Sequence, residues 1–321
     1  MGSEHSHSGE PGSHPGASGG QRGGGHSHGS ALARSGEAAK RPLTIALVIT
    51  IATLAVQLVV GIITGSLALL TDSAHLLTDV AGIVLALAAV TLASRPTRDE
   101  RTFGLYRLEV LSALANSAVL VLVAIWAIYE AVLRIQDPPD VPGLPVLVVG
   151  VVGLAANLFA LRLLSGGGSL AAEGARLDVL ADAVGSLGVV AGGALILLTG
   201  KPVIDAWVGL AIGIWIVPRA LSLGRQSLRV LLEAAPPHVD LAAVRTDLEG
   251  VGGVVDVHDL HVWTLTTDMD VLTAHLMVHE GTDHHGVLDS AREVLAEHHG
   301  IHHATLQVEP DTHSGCDQVD W

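Results

Sequence analysis

Long apolar runs separated by short polar breaks occupy the chain from position 43 to position 232. A helix of roughly 20 apolar residues is enough to cross the hydrocarbon core of a bilayer. The runs predict six such helices, near 43–64, 67–94, 108–134, 144–164, 170–199 and 203–222. We therefore expect a polytopic α-helical membrane protein with six transmembrane helices and soluble ends.

The pattern changes after Glu233, where the sequence Ala235-Pro236-Pro237 interrupts the apolar run. Helical and alternating spacings then follow in the order α-β-β-α-β, over 239–248, 254–265, 270–278, 283–298 and 304–308. This order predicts a small α+β domain with its helices on one face of a sheet. The core of such a domain is small, which favours a dimer.

The chain thus divides into a tail over 1–41, a transmembrane domain over 42–232, a soluble domain over 233–310 and a C-terminal tail over 311–321. The first tail is rich in Gly, Ser and His, and we expect it to be disordered. Its five histidines fit either a solvated tail or weak capture of metal.

Basic residues predict the orientation, because cytoplasmic loops carry an excess of Lys and Arg. They precede the first helix, separate the second from the third and the fourth from the fifth, and follow the sixth as Arg219, Arg225 and Arg229. The opposite side has only Arg134 and Lys201. Both termini and the soluble domain should therefore be cytoplasmic.

Bulk composition excludes several classes of protein. The formal charge of −15 at pH 7 argues against a nucleic acid partner. A single cysteine, Cys316, excludes an internal disulfide framework. The Ala, Gly and Val content favours a bacterial plasma membrane, and we expect the lipid bilayer as a partner and no organic cofactor.

Two apolar helices carry paired ionisable residues. His75 and Asp79 are four residues apart in the second helix, and Asp178 and Asp182 are four apart in the fifth. Such pairs lie on one helical face, and ionisable groups at membrane depth are costly and point to function. Imidazole and carboxylate groups both bind divalent metals, so the pairs predict a four-ligand metal site. Asp72 is interpreted as supporting this site, not as a ligand.

The charge of the predicted site suggests a mechanism. Three ionised carboxylates around an empty intramembrane site repel one another and are poorly solvated, so some should take up protons. A metal ion that enters must displace those protons, because its ligands are deprotonated. This links metal movement in one direction to proton movement in the other.

The chain resembles the cation diffusion facilitators, a family of zinc and related divalent-metal/proton antiporters. The resemblance rests on GSLALLTDSAHLLTD, FGLYRLEVLSALAN and LDVLADAVGSLGVV in the membrane domain, and on VHDLHVWTL, TAHLMV and IHHATLQVE in the soluble domain. It implies a homodimer, a cytoplasmic ferredoxin-like domain and alternating access. It also implies a tetrahedral transport site formed by His75, Asp79, Asp178 and Asp182.

One position departs from the pattern of the zinc members, which usually place His where this chain has Asp178. The resulting set of one imidazole and three carboxylates is harder than the usual zinc set. We expect Zn²⁺ as the cargo, with Mn²⁺, Co²⁺, Fe²⁺ or Cd²⁺ as alternatives.

The resemblance also implies metal-binding roles in the soluble domain. Some members use a position matching His261 or a C-terminal cysteine, here Cys316. Zinc bound there would stabilise the dimer, whereas the alternative is a set of ordinary surface histidines. The remaining positions with implied roles are His258, His275, His302 and Glu309.

Two other functional classes deserve comparison with a transporter. A membrane-anchored metal sensor needs only the soluble histidines, so the paired ligands at membrane depth argue against it. An intramembrane metalloenzyme would need an open coordination position, and the spans contain no HExxH motif. We therefore expect a transporter and not an enzyme.

Overall fold

The computed structural model describes residues 37–93, 102–165, 170–266 and 269–312. The predicted histidine-rich tail before residue 37, the arginine-containing segment 94–101 and the C-terminal segment with Cys316 lie outside the described residues.

Six helices are each long and apolar enough to cross a membrane, as the hydrophobic runs predict. Large apolar side chains such as Ile63 and Leu198 point away from the bundle, as expected of a surface that faces lipid. The helices are α1 (Glu37–Thr64), α2 (Leu67–Ala93), α3 (Arg107–Gln136), α4 (Gly143–Leu164), α5 (Leu170–Thr199) and α6 (Val203–Leu231).

The sixth helix differs from the prediction at its end. It was expected to finish near 222, with Arg219 grouped among the basic residues at its cytoplasmic end, but α6 continues to Leu231. Arg219 therefore lies inside the helix, directly after the internal Pro218. The predicted boundary was too early because basic residues interrupt the apolar pattern without ending the helix, and Arg219, Arg225 and Arg229 all lie within α6.

Small residues and buried polar contacts hold the membrane helices together. A side chain at Gly193 would come within 2.6 Å of the Leu147 backbone, so glycine permits the close approach of α5 to α4. The carboxylate of Asp205 in α6 accepts hydrogen bonds from Ser66 Oγ and from the Leu67 backbone N–H, each at 2.5 Å. This contact anchors the start of α2 to α6.

The soluble region forms a three-stranded mixed sheet with two helices on one face, which confirms the predicted α+β domain. Strand β1 pairs antiparallel with β2, and β2 pairs parallel with β3. Leu248, Leu272, Leu276 and Leu295 fill the core between helices and sheet. The elements are α7 (Leu241–Glu249), β1 (Val254–Thr266), β2 (Met269–Val278), α8 (His284–His299) and β3 (His303–Pro310).

Polar contacts connect the two domains. The Thr266 hydroxyl at the end of β1 donates to Glu109 Oε2 in α3 at 2.7 Å, and both residues are buried. Arg107 pairs with Glu233 at 2.5 Å on the more exposed side of the junction. The cytoplasmic domain is thereby attached to the bundle through α3, next to the end of α6.

Candidate metal centres

Helices α2 and α5 bring three of the four predicted intramembrane ligands together. His75 Nε2 lies 3.6 Å from Asp79 Oδ2, one helical turn away, and 3.7 Å from Asp182 Oδ1 on the facing helix. One ligand atom from each residue fits within 4.8 Å of the others. A single ion can therefore contact all three side chains.

Two atoms at this centre are buried without a hydrogen-bond partner among the described residues. They are Asp182 Oδ1 and His75 Nδ1. A buried polar atom that makes no hydrogen bond is costly, and native proteins rarely retain one without a reason. A cation at the centre would satisfy the Asp182 oxygen, and the mixed nitrogen and oxygen donors fit a divalent metal.

Asp178, the fourth predicted ligand, lies beside the centre in a different contact. Its Oδ1 accepts a hydrogen bond from Arg219 Nη2 at 3.0 Å. Its side chain is 22% exposed, compared with 8% for Asp182 one turn later. The predicted pairing of Asp178 with Asp182 on one helical face is compatible with this position, but the compact group does not include Asp178.

Arg219 is the residue that sequence reasoning missed. Its Nη1 lies 3.2 Å from His75 Nε2, and its Nη2 lies 3.7 Å from Asp79 Oδ2. The sequence was interpreted as placing this arginine at the membrane surface, where basic residues set orientation. One signal could have indicated that Arg219 lies within the helix. It directly follows Pro218 and a run of apolar residues, and the helix continues for another three turns beyond it.

Asp72 lies outside the group formed by His75, Asp79 and Asp182, in a buried contact with α1. It is 3% exposed, and its Oδ2 accepts from Gln57 Nε2 of α1 at 2.9 Å. A side chain at Gly185 of α5 would meet the other Asp72 oxygen at 3.1 Å. Asp72 thus joins α1 to α2 where α5 passes closest.

A small cavity of ≈ 30 Å³ adjoins Asp79 and Asp182. It lies between α1, α2, α4 and α5, and its wall includes Ala46, Thr50 and Leu164. This volume exceeds the roughly 10–15 Å³ that a cavity needs in order to hold one water molecule. The two carboxylates therefore border a space that can admit an ion of similar size.

A second group of ligands lies in the soluble domain. His258 of β1 and His275 of β2 are directly opposite each other in the ladder, with ring centroids 5.2 Å apart. Glu309 of β3 reaches both, at 3.1 Å from His275 Nδ1 and 3.7 Å from His258 Nε2. His258 Nε2 is buried with no hydrogen-bond partner in the described chain. The three side chains can hold one metal ion.

The other predicted cytoplasmic ligands lie elsewhere or are not described. His261 is exposed opposite Thr273, beyond a bulge at which Asp259 has a φ of 47°. His302 directly precedes β3, and Glu309 is near the other end of that strand, about 23 Å away at ~3.3 Å per residue. Within one protomer the centre therefore consists of His258, His275 and Glu309, while Cys316 lies outside the described residues.

Comparison with known proteins matches both domains. A cation efflux transmembrane domain model matches residues 43–232, and a cation efflux protein cytoplasmic domain model matches residues 236–311. The chain is 41% identical over 284 residues to the metal cation efflux system protein CzcD of Cupriavidus metallidurans, covering 88% of this chain and 89% of the relative.

Two further relatives match over similar lengths. A cadmium, cobalt and zinc/H(+)-K(+) antiporter of Bacillus subtilis is 31% identical over 282 residues, which cover 86% of this chain and 90% of the relative. The zinc transporter ZitB of Escherichia coli is 35% identical over 298 residues, which cover 90% of this chain and 95% of the relative. The similarity extends across both metal centres.

Proposed function

The chain belongs to the cation diffusion facilitator family of divalent metal efflux transporters, and we propose that it exports Zn²⁺ from the cytoplasm in exchange for protons. The observation that carries this proposal is the convergence of His75, Asp79 and Asp182 from two membrane helices around one small space. Asp178 completes the set once it leaves Arg219, giving the four ligands that a tetrahedral ion requires.

The choice of Zn²⁺ rests on the single imidazole. Three carboxylates alone would suit hard ions such as Mn²⁺, whereas His75 adds a nitrogen donor that favours Zn²⁺, Co²⁺ and Cd²⁺. The names of the relatives include zinc, cadmium and cobalt. Zinc is the cargo we propose, and cobalt and cadmium are the nearest alternatives.

Proton exchange follows from the charge of the empty centre. Asp79, Asp178 and Asp182 against one guanidinium leave two formal negative charges in a largely buried site. A buried site with net charge is unfavourable, so either a divalent cation or protons must neutralise it. We propose that protons enter as the metal leaves to the exterior.

The cytoplasmic centre has a different proposed role. We propose a homodimer in a bacterial plasma membrane, with both termini on the cytoplasmic side. Zinc bound by His258, His275 and Glu309 stabilises the fold of the soluble domain and, through it, the dimer. This proposal is supported by the fixed strand register that holds these three residues and by the match to the family's cytoplasmic domain.

Transport assays in inside-out vesicles test the proposal. We expect the wild-type chain to accumulate Zn²⁺ and to move protons in the opposite direction, reported by a pH-sensitive dye. Asp79→Ala should abolish both fluxes, whereas Asp140→Ala, in the exposed loop after α3, should leave them unchanged. Retained flux in Asp79→Ala would refute the assigned site, and zinc uptake without proton movement would refute the exchange.

A further inference from the structure

We propose that Arg219 is a tethered cation that occupies the transport centre in the absence of metal and that the cargo must displace. The inference rests on the proposed function, because it concerns the same centre. It assigns a role to a residue that lies outside both predicted ligand pairs.

The guanidinium of Arg219 contacts ligands from both helices. It reaches His75 and Asp79 of α2 at 3.2 and 3.7 Å and Asp178 of α5 at 3.0 Å. A cation at this position bridges the same two helices that a bound metal would bridge. Arginine keeps its charge under all conditions relevant to proteins, so the guanidinium itself never becomes neutral.

His75 cannot hold the arginine and the metal with the same atom. A guanidinium only donates hydrogen bonds, so His75 Nε2 must be the acceptor and the ring proton must be on Nδ1. The lone pair on Nε2 is the one that faces Asp79 and Asp182, and hence the one that a metal would use. Binding of metal by His75 therefore requires the Arg219 contact to break.

Asp178 is subject to the same competition. Its short charge-assisted hydrogen bond to Arg219 holds it outside the compact group of His75, Asp79 and Asp182. To join that group as the fourth ligand, Asp178 must turn from the guanidinium toward the ion. One residue thus controls access to two of the four proposed ligands.

The position of Arg219 in α6 gives it a way to move. Pro218 has no N–H to donate to the preceding turn, and a proline inside a helix weakens and bends it there. The Arg219 side chain is 32% exposed, so it is not locked in place by packing on every side. The guanidinium can swing out of the centre when the ion enters and return when the ion leaves.

A tethered competitor suits an exporter. It weakens the binding of metal by the free energy needed to displace it, and it refills the centre as the cargo departs, which speeds release. A purely structural ion pair makes the opposite prediction. If Arg219 only positioned Asp178, then removing its charge would misplace a ligand and weaken metal binding.

Equilibrium binding of Zn²⁺ to the full-length protein in lipid nanodiscs separates the two roles. The transport-site component is the part of the calorimetric isotherm that Asp79→Ala removes. We expect Arg219→Gln to lower the Kd of this component by about tenfold or more, since a charge-assisted contact no longer competes. Arg219→Lys, which keeps the positive charge but lacks the planar, forked donor geometry of arginine, should lie between Arg219→Gln and wild type. Arg225→Gln, on an exposed turn of the same helix, should match wild type.

Unchanged or weaker zinc binding in Arg219→Gln would overturn the inference. That outcome is distinct from failure of the proposed function, in which the wild-type protein would show no component sensitive to Asp79→Ala. Stopped-flow release of zinc to a chelator should be slower in Arg219→Gln than in wild type by a factor similar to the gain in affinity.

Chemical labelling tests the same idea on the unaltered protein, without relying on a variant that folds. Phenylglyoxal modifies accessible guanidinium groups, and peptide mass spectrometry reports the modification at each site. Saturating Zn²⁺ should increase the labelling rate of Arg219 relative to Arg225. Equal or lower labelling of Arg219 in the presence of zinc would contradict displacement.

Discussion

The two candidate metal centres offer the same kinds of ligand but lie on different kinds of secondary structure. In the membrane, His75, Asp79 and Asp182 belong to two helices held together by side-chain packing. In the soluble domain, His258, His275 and Glu309 belong to three strands joined by backbone hydrogen bonds. Helices can slide or rotate relative to each other, whereas a strand cannot shift register without moving every side chain to the other face. The first centre suits release of an ion and the second suits retention.

The charged groups around the two centres also differ. The membrane centre includes Arg219, a permanent cation in contact with three of its residues. In the soluble centre the neighbours of Glu309 include two histidines, at 3.1 and 3.7 Å, and Gln307. Imidazoles that turn a lone pair toward the carboxylate can bind the same ion without displacing a fixed charge. The comparison therefore predicts weak, exchangeable binding at one centre and stronger binding at the other.

Removing one carboxylate charge from each centre should give the largest difference between them in zinc flux. Asp182→Asn keeps the shape of a buried ligand but removes its charge, and we expect zinc flux to fall at least ~100-fold, as loss of a buried charged partner predicts. The matched change in the other centre, Glu309→Gln, should reduce flux by less than about tenfold, because we propose a stabilising role for that residue and not a role in transport. Uptake of radioactive zinc into inside-out vesicles measures both. Equal losses would show that the two centres do not have separate roles.

Metal removal should destabilise the protein through the soluble centre. In an Asp79→Ala background, zinc at 100 times its Kd should add about 2.7 kcal/mol to the stability of the state that binds it. His275→Ala should abolish the zinc-dependent rise of the apparent melting midpoint, since one ligand of three is lost. His279→Ala, at an exposed position just past β2, is the control and should keep it. A zinc-dependent rise that survives His275→Ala would place the stabilising ion elsewhere.

Replacing the carboxylate at position 178 with an imidazole tests how this ligand affects selectivity among metals. Asp178→His gives the membrane centre a second imidazole and removes one of the two carboxylates that Arg219 contacts. Because nitrogen donors favour Zn²⁺ over the harder Mn²⁺, we expect the ratio of Zn²⁺ to Mn²⁺ transport to rise by about tenfold. Competition of each metal against radioactive zinc in vesicles gives the ratio. An unchanged ratio would mean that position 178 does not set selectivity.

The smallest expected effect concerns histidines that we assign to neither centre. His298 Nδ1 and His299 Nε2 each lie 3.0 Å from Asp247 Oδ2. The hydrogen bond from His298 lowers the pKa of Asp247 below its ordinary value, and the hydrogen bond from His299 lowers it further. A carboxyl group with a lowered pKa in the folded state stabilises the fold above its ordinary pKa, and this contribution disappears as the pH falls through the folded-state pKa.

Asp247→Asn should therefore flatten the loss of stability of the soluble domain on acidification below about pH 4 in zinc-free buffer. The effect should be small because the carboxylate is exposed to solvent. Thermal unfolding followed by circular dichroism at a series of pH values measures it. An identical acid-induced loss in Asp247→Asn would exclude the pair of histidine contacts as its source.

The sequence was sufficient for the elements because each has a strong one-dimensional signal. Six apolar runs predict six membrane helices, and residues at i and i+4 identify His75 with Asp79 and Asp178 with Asp182. The periodicity of apolar residues does not show how far a long side chain reaches. Arg219 extends from a third helix into the centre, and nothing in the spacing of α6 shows which way it points.

The soluble domain shows a second limit of prediction from the sequence. Alternation along β1 and β3 indicates which residues share a face, but it does not fix distances along the sheet. Strand direction separates His302 from Glu309, and the bulge after His258 sets the position of His261 relative to β2. Both depend on long-range pairing, which local sequence does not encode.

In the proposed transport site, one imidazole and three carboxylates bind the cargo. X-ray absorption at the zinc edge measures this ligand set directly. The sample is the full-length chain with the soluble centre removed by His258→Ala and Glu309→Gln, loaded with less than one zinc per protomer. We predict one nitrogen at about 2.0–2.1 Å, with oxygen for the remaining ligands, and loss of the imidazole signal in His75→Ala. A shell with two or more imidazoles, or with sulfur, would contradict the account.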